Sequence, residues 1–132
     1  MEQTVIKVMQ EVVRRIVGLD APAAGLQFDR VYQIVVTVYK KYKTQLDQLV
    51  NVLMLTDLAT TAQSFDRVLD SLFVDGQINC GRVAAVLAFA GCVAEHCIKK
   101  EIILSGDVDE LAEVMGRQLA SRLISSHYSL VS

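Results

Sequence analysis

Apolar residues recur at three- and four-residue spacing along almost the whole chain, and no alternating run competes with them, so the pattern predicts helices throughout. The first covers 4–17, with Val5, Val8, Met9, Val12, Val13 and Ile16 on one stripe and a stop at Gly18 and Pro22. A short linker is expected at 21–25. A longer stretch over 27–53 aligns Val31, Val35, Val38, Tyr42, Leu46 and Leu49, while Lys40, Lys41 and Lys43 face mostly elsewhere; its length implies a break near Asp47. Thr60 and Gln63 have the spacing of a capping box, and Phe65, Val68, Leu69 and Leu72 carry the next stripe to a stop at Asp75-Gly76.

The following segment is of another kind. Asn79 is a good N-cap, and 83–94 is apolar on every side, which a folded chain accommodates only where other helices surround it. This helix is expected to be the hub, with Ala84, Ala85, Ala88, Ala90 and Gly91 letting neighbours approach closely. After a polar end at 95–101 and a turn at Ser105-Gly106, Asp107 and Glu110 open a last helix carrying Val108, Leu111, Met115, Leu119 and Leu123. The expected fold class is all-α.

Composition narrows the function. A formal net charge of −2 over 132 residues argues against a nucleic-acid binder. With 52% apolar residues and one proline the chain reads as a folded single domain, 1–132, and not as a disordered tail. Three cysteines without paired spacing point to reduced thiols in a cytosol. The start of the chain interleaves Glu2, Lys7, Glu11, Arg14 and Arg15 with apolar positions, unlike a signal peptide. The longest uncharged stretch, 83–94, is shorter than the roughly 18 residues a bilayer requires, so any membrane association is expected to come through a partner.

One constellation stands apart from core building. Asn79-Cys80-Gly81-Arg82 places an arginine in the first turn of the hub helix, against the positive end of its dipole, an arrangement that costs a few tenths to about 1 kcal/mol unless an anion offsets it. The anion is either a carboxylate of the chain itself, Asp75, Asp70 or Asp66, or one brought by a ligand. Gly81 costs helix propensity but removes a side chain that would hold a second backbone away.

The run from Phe65 through Leu72-Phe73-Val74-Asp75-Gly76 to Asn79-Cys80-Gly81-Arg82, and on to Phe89-Ala90-Gly91, resembles the first homology segment of the Bcl-2 family of cell-death regulators. There a helix ending in Leu-Phe-x-Asp-Gly leads into Asn-Trp-Gly-Arg and an apolar central hairpin. The resemblance implies a Bcl-2-like bundle of amphipathic helices around a buried central one, truncated at the C-terminus because no Gly-Gly-Trp segment follows. It implies a binding groove of the pro-survival type, with no catalytic role and no cofactor. That groove would sequester the BH3 helix of a pro-apoptotic partner and so inhibit cell death.

By the same resemblance, Arg82 would pair with an aspartate of the ligand helix, Asn79 would hydrogen-bond that carboxylate, and Gly81 would admit the ligand backbone. The apolar walls would be Val38, Tyr42, Leu46 and Leu49, then Phe65, Val68, Leu69 and Leu72, with Ala85 and Phe89 from the central helix. Cys80 departs from the family's tryptophan and loosens the packing beneath the motif. The short first linker and the missing tail anchor are similar to virus-encoded members, which places the protein in the host-cell cytoplasm, with mitochondria reached through partners.

Other chemistry is weakly supported. Cys92 and His96 lie four apart with Cys97 adjacent, but a closed zinc site needs four ligands and the other histidine, His127, is far along the chain. Buried or half-buried thiols are the better reading, and no orienting group accompanies a Cys-His pair, so no enzyme is expected. Tyr32, Tyr39 and Tyr42 read as core residues. The rival to BH3 binding is an all-helical self-assembling protein, forming a homodimer through the groove region.

Overall fold

The stripe of the first segment closes into α1 (Glu2–Val17), whose Val5, Val8, Met9, Val12 and Val13 are buried, with Ile6 beside them. In the computed structural model, which describes residues 2–19, 26–126 and 128 (26 and 27 by backbone alone), four further helices follow. They are α2 (Leu26–Val52), α3 (Leu58–Leu72), α4 (Cys80–Lys99) and α5 (Val108–Ser125), the last preceded by a 3-10 turn (Ser105–Asp107). No strand occurs among the described residues. Pro22 and the linker expected at 21–25 lie outside them, as does His127.

Two local expectations need correction. The break in the long segment falls at Tyr42 (φ −113°, ψ 17°), not near Asp47. Asp47 stays helical because Lys43, one turn back, holds its carboxylate at 2.8 Å. The capping box of α3 is Asp57 with Thr60, not Thr60 with Gln63: Asp57 Oδ1 accepts the Thr60 N–H at 2.7 Å, and Thr60 Oγ1 accepts the Asp57 N–H at 3.0 Å. At the head of α5, the Asp107 carboxylate turns back to accept the Leu104 N–H at 3.1 Å, closing the 3-10 turn, and makes no side-chain cap.

The apolar run becomes the hub. In α4, Val83, Ala84, Val86–Ala94 and Cys97 are buried, enclosed by α1, α2, α3 and α5. By length and composition α4 could cross a membrane, yet 67% of its most apolar window is buried inside the protein, as a core helix requires. Small residues set the close packing. A Cβ on Gly91 would collide with Ile16 of α1, and one on Gly116 of α5 would stand 2.9 Å from the Ile6 Cα. At these two glycines α1 lies close against α4 and α5, and α2 runs along α4.

Candidate functional site

Asp75-Gly76 ends the α3 connection in a turn that needs Gly76 at φ +72°, a conformation costing an L side chain roughly 1–2 kcal/mol. The chain then reaches Asn79, extended at φ −144° and ψ 170°, whose Oδ1 accepts the Arg82 N–H at 2.9 Å and caps α4. Arg82 is therefore fixed in the first turn, and its guanidinium folds back over the connection. It forms a bidentate pair with Asp75, Nη1 to Oδ1 at 2.6 Å and Nη2 to Oδ2 at 2.8 Å. Nη1 also donates to the Gln77 carbonyl at 2.9 Å and the Leu72 carbonyl at 3.3 Å.

The anion expected opposite Arg82 is thus Asp75, and the other two candidates are taken elsewhere. Arg122 of α5 holds Asp66 and Asp70 at 2.7 Å each. Asp75 is pulled down from 3.8 to about 2, first by its bonds from Arg82 and then by the Gln77 N–H, which its Oδ1 accepts at 3.0 Å. Arg82 is raised in turn by the same partner.

Leu72 joins this pair to an apolar groove. Leu49, Val52 and Leu53 from the end of α2 face Ser64, Arg67, Val68, Ser71 and Leu72 of α3 across a trough of about 520 Å³. Val52, which lines it, is 70% exposed, and Met54, two residues on, is 81% exposed. A second, narrow cleft at the head of α4 is lined by Val31, Ile34, Cys80, Val83, Ala84, Leu87 and Tyr128.

The structure divides the sequence-derived wall residues. Leu49, Val68 and Leu72 line the groove. Val38, Leu46 and Ala85 are half-buried, the first two against the core, and Tyr42 is 43% exposed at the kink, which corrects its reading as a core residue. Phe65, Leu69 and Phe89 are buried beneath the groove and do not line it, because the α3 stripe is split: its Phe65 and Leu69 face the core and its Val68 and Leu72 the edge. An added Cβ at Gly81 would meet only Asn79 Oδ1, at 3.4 Å, so nothing in the described fold requires glycine there. Val52 and Leu53 were not singled out from the sequence, although they stand three and four residues beyond Leu49 in one apolar run.

Between α2 and α4, Asp47, Cys92 and Glu95 gather possible ligand atoms within 4.8 Å of one another. Lys43 already bridges the two carboxylates, its Nζ reaching Asp47 at 2.8 Å and Glu95 at 3.0 Å. Tyr39 donates to Glu95 at 2.9 Å and is pushed up to about 12, first by burial and then by that carboxylate. Burial likewise pushes the Cys92 thiol up to about 12, leaving it a protonated core group. His96 lines one cleft with Lys43, Asp47, Cys92 and Glu95 but is not among the three grouped ligand atoms, so the Cys92–His96 pairing is not extended into a ligand set.

Residues 31–127 match the family model of the Bcl-2 family of apoptosis regulator proteins.

Proposed function

The chain belongs to the Bcl-2 family of apoptosis regulators, and on that footing we propose that it is a pro-survival member which sequesters the BH3 helix of pro-apoptotic relatives. The observation that carries the reading is the junction at Leu72: its side chain lines an apolar groove and its carbonyl accepts from the Arg82 guanidinium. An amphipathic helix bearing a carboxylate is the ligand that satisfies both halves. Its apolar anchors, repeating once per turn, would bury on Leu49, Val52, Val68 and Leu72, each worth roughly 1.5–3 kcal/mol before ordering costs. Ordering the ligand costs roughly 2–5 kcal/mol, so anchors alone leave its register along the groove poorly fixed.

Arg82 supplies the register. A charge-assisted pair at one end of the groove penalises every shifted alignment, because the carboxylate then enters without its partner. The open space beside Gly81 favours close approach of the ligand backbone, and the Asn79 amide stands at the same helix head. The expected place of action is the cytoplasm, where such partners are met.

A labelled BH3 peptide is expected to bind at sub-micromolar strength and to lose binding on Leu72→Glu, which puts a charge on the groove wall at a residue already 36% exposed. Self-assembly is the rival reading, favoured by the exposure of Val52 and Met54. It predicts a concentration-dependent dimer in sedimentation that peptide does not dissociate, and a folded protein that binds no peptide in the series.

A further inference from the structure

Arg82 is already paired within the fold, and its partner sits seven positions back in the same chain. Both terminal nitrogens are engaged by Asp75, and Nη1 carries two backbone carbonyls besides. A second carboxylate finds the bidentate face of the guanidinium filled and a like charge beside it. We propose that Asp75 is a built-in competitor for Arg82, which sets how much a ligand's carboxylate contributes and hence how sharply the groove selects helices that carry one. The inference rests on the groove-binding reading above.

The competitor is preorganised. Gly76 at φ +72° makes the turn, the Gln77 N–H holds Asp75 Oδ1 at 3.0 Å, and the short connection keeps the carboxylate at a high effective concentration near the cation. A ligand carboxylate gains its pair only by prising Asp75 away or by sharing the guanidinium with it. In either case the arriving charge is discounted by the one already present. The self-pair also neutralises the site, so Arg82 does little to attract an acidic segment from a distance. The ligand carboxylate then contributes the difference between its own pair with Arg82 and the one it displaces.

Asp75→Asn isolates the effect, because the amide oxygen can still accept the Gln77 N–H while the charge is gone. Two labelled BH3 peptides, one with its aspartate and one with asparagine in its place, are titrated into wild type and variant by fluorescence anisotropy, with circular dichroism confirming the fold. The inference expects the variant to bind the aspartate peptide about fivefold or more tighter while the asparagine peptide changes less than about twofold. Asp75→Ser, which also offers an acceptor for the turn, serves as the second variant and is expected to behave alike. If the aspartate peptide binds both proteins equally, or binds the variants more weakly, Asp75 positions Arg82 or contacts the ligand itself, and the competitor idea is overturned while groove binding stands. If neither peptide binds any of these folded proteins, the groove reading falls and the inference with it.

Discussion

The rings of Phe65 and Phe89 lie 5.9 Å apart and 7° from parallel, tying α3 to α4 directly beneath the groove. Both are buried, so the pair supports the groove from below and is out of reach of a ligand in this conformation. Phe65→Ala is expected to destabilise the protein by about 3–5 kcal/mol, through lost burial and the cavity left behind, as read from urea unfolding. A loss below about 1 kcal/mol would mean that α3 is not anchored there.

The Gly116 contact makes a prediction of opposite kind. A methyl at this position meets the Ile6 backbone and not a flexible side-chain end, so α1 and α5 must separate. Gly116→Ala should cost about 1–3 kcal/mol despite the better helix propensity of alanine. Gly91→Ala meets only Ile16, whose Cδ1 can rotate away while its Cβ, at 3.2 Å, needs α1 to give by a few tenths of an ångström, and should cost less than the backbone contact. Paired thermal melts decide the order.

Much of this packing is legible in the sequence and some is not. The apolar run at 83–94 announces the hub because no other arrangement shelters a helix that is apolar all round. Asn79, followed three residues later by Arg82, gives the cap and its unusual cation. A stripe, by contrast, identifies an apolar face without saying which part of it meets the core. Phe65 and Leu69 face inward and Val68 and Leu72 the groove, although all four share one stripe, because the helices packed over α3 cover one edge of it and leave the other open. The kink at Tyr42 carries no proline or glycine and so leaves no mark in the sequence, whereas Lys43 and Asp47 have the one-turn spacing of an ion pair that supports the turn after it.

The three thiols should separate cleanly. Cys80 is exposed, while Cys92 and Cys97 are buried with their thiols pushed up by burial, that of Cys92 to about 12. Ellman's reagent at pH 8 should therefore react promptly with one thiol of the native protein and with the other two only after unfolding. A second fast equivalent would contradict the placement of α4 in the core.

Acid should reveal the Arg82–Asp75 pair. Asp75 titrates near 2 in the fold against an ordinary 3.8, so the folded state holds its proton less tightly than the unfolded one. The stabilisation is complete above the unfolded value and fades as pH falls from about 4 towards 2. Wild type should melt above Asp75→Asn at pH 5, and the gap should have shrunk to a small fraction by pH 2. A constant gap across this range would show that the carboxylate charge contributes nothing.

The central claim is that the cation at the head of α4 reads a carboxylate carried into the neighbouring groove by an amphipathic helix. Calorimetric titration of a BH3 peptide into wild type and Arg82→Ala tests it most directly. The account predicts sub-micromolar binding to wild type and at least a tenfold loss, about 1.4 kcal/mol, in the variant. Equal affinity for both proteins, or no heat of binding to the folded wild type, would contradict it.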